Sequence, residues 1–429
     1  MKILQYLLFS LSCIAVTIAT ALTINVNAGT LDCISFDPAK REITVTCTSA
    51  NLSRVQSVLD NDSIITKESK DTWLLNANLK IWHDSTFYIN ATDTKWLKIN
   101  STTPENTNHL YVVGNLKVDS VKLSSWNTTS DNYALTNGSV PRASIIILPE
   151  GTGKTDITNS EISYLGDAVT PRGQGISYWS GDKSIIMNNT IHHMYYGFYS
   201  EGIRDLVIQN NTVHNDVKYG IDPHTGTTNM VIKNNLVHDN GHIGIICSVD
   251  CNNITITGNK VSNNENAGIM LSKNVRDSVV SDNSIQNENT GISISESVNN
   301  KVYTNDALNN VNGIQIKANS SSNIVSNNNI KSSERCGIEI SNNSSGNVIT
   351  SNSIANTSRY GICLADNPFQ TMINNNTIDA ASGPAVYIRN SNFENNIFKF
   401  NQISNASREP IKLVNGTLKV LNNTVDFKS

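Results

Sequence analysis

Along most of this chain apolar and polar residues alternate in short runs, as in NNITITGNKV and SGDKSIIMNNTI, with Asn, Gly and Ser at the corners between runs. Runs of this kind predict short, half-buried strands joined by tight turns. The runs also recur on a beat. A Gly opens successive apolar stretches at Gly175, Gly197, Gly220, Gly244, Gly268, Gly291, Gly313, Gly337, Gly361 and Gly383, about 22 to 24 residues apart. An Asn-x-apolar mark keeps the same phase at Asn189, Asn211, Asn235, Asn259, Asn283, Asn328, Asn352, Asn376 and Asn401. Periods of this size belong to solenoids. No stretch beyond the first thirty residues carries helical spacing over several turns. The fold class expected is therefore all-β: a single-stranded right-handed parallel β-helix whose coils stack at about the 4.8 Å spacing of paired strands. The Asn marks should form an internal amide ladder, as in other stacked strands rich in Asn. Leucine-rich repeats lack support because no LxxLxLxxN pattern occurs, and a propeller needs a longer period.

The alternation also places side chains. In GISI at Gly291, GIQI at Gly313 and GIEI at Gly337 the first and third residues after Gly are apolar and should face the lumen. The second and fourth then face outward. One coil departs from this rule. In YGIDPHTG, Tyr219 to Gly226, the third position is Pro223, and the outward positions are Asp222 and His224. Proline lacks the N–H that a stacked strand offers its neighbour, so it belongs to a bulge or to a site where function outweighs regularity. The same outward offsets give Tyr199 and Glu201 on the preceding coil, and Ile246 and Ser248 on the following one. Tyr219 should sit over Tyr196 and Tyr195. Aromatic rings with convergent polar groups suit a sugar chain, because a ring takes the apolar face of a pyranose while polar groups hold its hydroxyls.

Composition adds bounds. The chain has 429 residues with 38% hydrophobic and 6% aromatic content, which suits a thin aliphatic lumen rather than a large globular core. A formal charge of −4 argues against a nucleic-acid partner, which would favour a basic face, and leaves any acidic substrate to local cations. Residues 1–28 read as a secretory leader, with an uncleaved membrane anchor as the alternative. Residues 29–70 read as an N-terminal cap, and residues 71–429 as the β-helix. Six cysteines remain beyond the leader: Cys33, Cys47, Cys247, Cys251, Cys336 and Cys363. Local bridges, Cys33 to Cys47 and Cys247 to Cys251, are the expectation; metal binding is the rival, but no CxxC spacing occurs. Sequons such as Asn90, Asn127 and Asn343 offer glycosylation sites, although an Asn-, Ser- and Thr-rich repeat generates such triplets by composition. The location expected is extracytoplasmic, with a membrane contact only through an uncleaved leader.

The segment YYGFYSEGIRDLVIQNNTVHNDVKYGIDPHTGTTNMVIKNNLVHDNGHIGI, Tyr195 to Ile245, resembles the mannuronan C5-epimerases of alginate biosynthesis, in particular the bacterial periplasmic type. The YG-apolar-DPH signature carries the resemblance, and a weaker repeat likeness runs from about Tyr164 to Glu296. The resemblance implies a parallel β-helix that acts on an acidic polysaccharide. It implies His224 as the base that removes the proton on carbon 5 of a uronate, with Tyr219 and Asp222 in acid/base and carboxylate-binding roles. Such an Asp must be protonated or bridged, since two bare carboxylates repel. It implies no cofactor; calcium stays open, and no Gly-Gly-x-Gly-x-Asp nonapeptide is present. Two positions depart from the family pattern. Thr225 follows the DPH triplet where an acidic residue is common, and Val249 stands near the place of an Arg proposed to neutralise the substrate carboxylate. Candidate replacements for that cation are Lys273, Lys218, Arg204 and Arg172, and Tyr196, Tyr199 and Glu201 are candidate substrate contacts. A lyase shares the carbanion step and remains an alternative. A glycosidase would need paired carboxylates, for which Asp222 and Glu201 are the candidates. A non-catalytic glycan-binding solenoid is the third reading.

Overall fold

The computed structural model describes residues 32–135, 138–380, 382–391, 395–406 and 409–428. The expected leader, residues 1–28, lies outside them. The described chain is a right-handed parallel β-solenoid of about 14 turns spaced about 24 residues apart. Three parallel sheets run along the stack, and each coil contributes one strand to each. For the coil of the DPH triplet these strands are Tyr219–His224, Val231–Lys233 and Leu236–His238. The sheet that carries Tyr219–His224 has sixteen strands.

Four features of the sequence produce this stack. Lumen positions hold Ile, Val and Leu, and Ile221, Ile245, Ile269, Ile292, Ile294, Ile314 and Ile316 are all fully buried. Burial of each such side chain is worth about 1.5–3 kcal/mol, so the lumen is the main source of cohesion between coils. The Asn ladder is the second feature. The Oδ1 of Asn235 accepts from both the backbone N–H and the Nδ2 of Asn211, at 2.9 and 3.0 Å, and Asn235 repeats the pattern on Asn259. The column continues through Asn283, Asn305, Asn328, Asn352, Asn376, Asn401 and Asn423. Asn305, which the mark skipped because it is read as Asn-x-Ile or Asn-x-Val and Ala307 stands in the third place, fills the gap.

Third, the residue before each ladder Asn turns the chain between sheets in the left-handed region, as at Asn188, Asn210, Asn234 and Gly258, with φ between 55° and 66°. Asn and Gly tolerate that conformation best, which is why Asn-Asn and Gly-Asn pairs mark the corner. Fourth, the Gly column allows close approach: a Cβ on Gly220 would lie 2.7 Å from the carbonyl oxygen of Gly244 and 2.8 Å from Val237 Cγ1. The last landmark departs from the expected phase. Gly361 faces Ala385 of the next coil, and Gly383 lies before the strand Val386–Ser391.

Two further expectations need correction. A helix is present at Leu52–Leu59, where Asn51 caps the N-terminus by accepting from the Arg54 N–H and Leu52 and Val55 bury one face. Two turns are enough when tertiary burial, rather than periodic length, supplies the stability. Nearby, the strand Glu42–Val45 pairs antiparallel with Ile34–Asp37 and parallel with Asn78–Ile81. The cysteines also pair differently. Cys33 bonds Cys47 as expected, but Cys336 bonds Cys363 across adjacent coils. Cys247 and Cys251 stay free and buried. Cys247 occupies a lumen position that other coils fill with Ile or Leu, and Cys251 Sγ donates to the carbonyls of Pro223 and Ser248, so both act as small core residues.

Candidate active site

The site forms where three adjacent strands of the sixteen-stranded sheet, Tyr196–Glu201, Tyr219–His224 and Ile243–Ser248, turn their fourth and sixth residues outward. The register aligns Tyr199 with Asp222 and Glu201 with His224, while Phe198 and Ile221 face the lumen. Pro223 marks a break on one side only. Pairing with the preceding strand continues to His224, whereas pairing with the following strand ends at Ile221 opposite Ile245. The missing N–H faces that following strand, and the ladder opens there.

Above this opening lies a cleft of about 400 Å³, lined by Tyr196, Tyr199, Tyr219, Asp222, His224, His242, Lys273 and smaller neighbours. The aromatic wall is continuous. Ring centroids of Tyr196 and Tyr219 are 5.0 Å apart, those of Tyr199 and His224 5.4 Å, and those of Tyr219 and His242 5.4 Å. His224 Nδ1 lies 2.7 Å from Thr225 Oγ1. With Nδ1–H donating to that hydroxyl, the lone pair sits on Nε2. Thr225, at the place where an acidic residue was anticipated, therefore still supplies a partner that orients the ring. Tyr199 donates to Glu201 Oε2 at 3.3 Å.

The electrostatics divide the groups by role. Asp222 is 1% exposed, and burial pushes its carboxyl well above the usual range, opposed only by the Ser248 hydroxyl that donates to Oδ1 at 3.2 Å. Burial therefore favours the protonated form of this carboxyl. Burial lowers His224; Glu201 pulls its pKa up and Lys273 pushes it further down. The imidazole is accordingly held neutral. Burial and the nearby Asp222 raise the Tyr219 phenol, which keeps its proton. The site combines a neutral base, a protonated carboxyl and a phenolic proton donor.

Of the residues anticipated from sequence, His224, Asp222, Tyr219, Tyr196, Tyr199 and Lys273 line one cleft, and Glu201 stands beside His224. Tyr195 instead packs against Tyr196, with ring centroids 4.9 Å apart. The other cations are elsewhere. Arg204 pairs with Asp182 at 3.1 Å, Arg172 lies over the Trp179 ring at 5.1 Å, and Lys218, outside the cleft lining, lowers the pKa of His242 at its edge. Lys273 gains its place through the stack: Ser248 pairs with Ser272, so Lys273 occupies the position of Val249 one coil further on. His242, Gln174 and Asn266 also line the cleft and were not anticipated. His242 precedes the Ile243–Ser248 strand, where strand alternation gives no rule for side-chain direction.

The chain was then compared with known proteins. A family model described as periplasmic copper-binding protein (NosD) matches residues 125–323, and one described as right handed beta helix region matches residues 270–378. No curated protein sequence matches. Among solved structures, the periplasmic alginate epimerase AlgG is similar at 19% identity, with 90% of this chain and 85% of that chain covered and a TM-score of 0.67. This chain shares the AlgG fold. A doubly substituted form of AlgG gives a TM-score of 0.69 at 18% identity over the same shares. The A-module of the mannuronan C-5 epimerase AlgE4 from Azotobacter vinelandii reaches 0.47 at 15% identity, covering 80% of this chain and 88% of that one.

The copper in the first description does not fit the donor set here. Among the described residues no three His, Cys, Asp or Glu side chains converge to hold a metal ion. The rings of His192, His214 and His238 stack 5.1 and 5.0 Å apart along the coils instead of meeting at a point, and His192 is engaged by His193 and Glu161. The free thiols of Cys247 and Cys251 are buried, and burial pushes the Cys251 thiol up to about 12. Neither thiol offers a ready thiolate.

Proposed function

We propose that this protein inverts carbon 5 of uronate residues within an acidic polysaccharide such as mannuronan, converting D-mannuronate to L-guluronate in the chain. The observation that carries this reading is the placement of Asp222, a carboxyl that burial keeps protonated, on the strand that also presents a neutral His224. A protonated Asp222 can donate to the substrate carboxylate, and Lys273 adds a positive charge, so the proton on carbon 5 becomes acidic. His224 Nε2 takes that proton, and the bonding pair is held in the carboxylate as an enediolate. The Tyr219 hydroxyl then delivers its proton to the opposite face of carbon 5, and solvent exchange moves the proton gained by His224 back to the phenolate. Two disulfides suit an oxidising, extracytoplasmic setting for such a reaction.

The test is proton NMR of polymannuronate incubated with the protein in deuterated water, beside a His224→Ala control. Deuterium at carbon 5 with new guluronate signals, absent in the control, is the expected result. Unsaturated chain ends would make the enzyme a lyase. An absence of change across a panel of uronans would remove the catalytic reading.

A further inference from the structure

The sixteen-stranded sheet continues for several coils beyond the cleft, and its outward column can be followed residue by residue. From Asp222 it passes through Ile246, Met270, Ser293, Gln315, Glu339 and Cys363 to Tyr387. Between the cleft and Glu339 the outward side chains are polar, Ser293 and Ser295 on one coil and Gln315 and Lys317 on the next. Glu339 and Tyr387 border a second cleft of about 180 Å³, which Arg335, Arg359, Arg389 and Tyr360 complete. At about 4.8 Å per coil it stands five to seven coils, roughly 24 to 34 Å, from Asp222 on the same face.

We infer that this second cleft is a distal subsite for the same acidic polysaccharide, gripping carboxylates with its arginines and sugar rings with Tyr360 and Tyr387. The substrate class rests on the function proposed above. The rings of Tyr360 and Tyr387 lie parallel at 9° with centroids 4.3 Å apart, an aromatic block whose hydroxyl tips suit a pyranose. The disulfide between Cys336 and Cys363 ties the strand that carries Tyr360 to the preceding coil, and both cysteines line the cleft, which fixes one wall of it before any ligand arrives. Arg335 and Arg359 precede residues that are paired across adjacent coils, and both line this cleft. Arg335 has one loose carboxylate partner, Glu339 at 3.9 Å, and no acidic partner of Arg359 occurs among the described residues. Like charges on neighbouring strands repel, and a carboxylate bound between them relieves that repulsion through bidentate hydrogen bonds. Arg389 keeps Asp366 at 2.9 Å and faces the same cleft. An extended uronate polymer advances by roughly one coil spacing per residue, so one chain lying along this polar floor reaches both clefts. A grip at this distance raises the effective concentration of substrate at His224.

The experiment is titration calorimetry of the full protein and of Arg359→Gln and Tyr387→Ala with three probes: polymannuronate, short mannuronate oligomers that span only the first cleft, and neutral β-mannan. Carbon 5 deuterium exchange is followed in parallel. Arg359 is exposed, so its Gln variant keeps the fold, and a thermal melt checks this. Each variant should bind polymannuronate about tenfold more weakly while oligomer binding and exchange on oligomers stay unchanged. Equal polymannuronate binding by wild type and both variants would overturn the subsite, as would β-mannan binding as tight as polymannuronate. If Arg359→Gln weakens polymer binding but wild type shows no exchange, the subsite stands and the epimerase reading falls. If exchange is strong and the variants bind like wild type, the reverse holds.

Discussion

The strand Tyr219–His224 and the strand Thr290–Ser295 occupy the same place in two coils of one sheet, yet they differ in nearly every outward atom. Thr290–Ser295 presents Ser293 and Ser295, buries Ile292 and Ile294, and pairs with both neighbours to its last residue. Tyr219–His224 buries Ile221 alike but presents Asp222 and His224, and it gives up pairing with the next strand after Ile221 because Pro223 has no N–H to offer. Inward positions, the Gly column and the Asn ladder are common to both coils. The solenoid separates its tasks by residue parity: one set of positions holds the stack together, and the other is free to carry chemistry.

Several measurements break or sharpen this contrast. The largest effect is expected from His224→Ala, which should abolish carbon 5 exchange by about 10³-fold while leaving the thermal midpoint unchanged, since the ring faces outward. Equal loss of fold and activity would place His224 among the structural residues instead. Lys273→Ala comes next, with about a 10²-fold fall in kcat/KM on polymannuronate. Lys273 also lowers the His224 pKa, so its removal has a second signature. In wild type the acid limb of kcat/KM should lie below pH 6.5, because a base with a lowered pKa stays unprotonated further into acid; in Lys273→Ala that limb should move upward. A limb that stays in place would separate Lys273 from the base.

The scaffold half of the comparison is tested by Asn259→Ala. It removes hydrogen bonds to Asn283 and to the Ile232 carbonyl and leaves the Asn235 amide without its acceptor, all in a buried column. Denaturant unfolding should show a loss of about 2 to 3 kcal/mol. Ser293→Ala, one coil beyond Met270 at the edge of the first cleft, removes a buried hydroxyl without a hydrogen-bond partner and should change stability by no more than about 0.5 kcal/mol. A small shift in stability is also expected from Pro223→Ala: a recovered ladder hydrogen bond and a freer unfolded chain oppose each other, for a net change under about 1 kcal/mol. A large gain would mean that the bulge is strained.

Much of this was legible before any coordinates. The Gly and Asn beats announce close approach and an amide ladder, and both are properties of single residues that repeat at fixed spacing. Parity then assigns Asp222, His224, Tyr199 and Glu201 to one face, because side chains on a strand alternate regardless of context. Where parity stops, so did the reading. His242, which nothing in the sequence marks, and Lys273, one of four candidate cations that parity could not rank, lie at strand ends, where a turn residue sets the direction; Lys273 itself has a φ of 61°. The helix Leu52–Leu59 was too short to show a period. The bridge between Cys336 and Cys363 joins residues 27 apart in sequence, and only the stacking of their coils brings them together.

By itself, then, the sequence determined the period of the solenoid, the aliphatic lumen, the polar ladder and the coil on which the chemistry would be sought, since each follows from local residue preferences repeated along one axis. The tertiary structure alone decided which of four candidate cations reaches the cleft, that Asp222 is buried enough to keep its proton, and that two clefts share one face. Those are matters of distance and dielectric between coils, and they exist only once the coils have stacked.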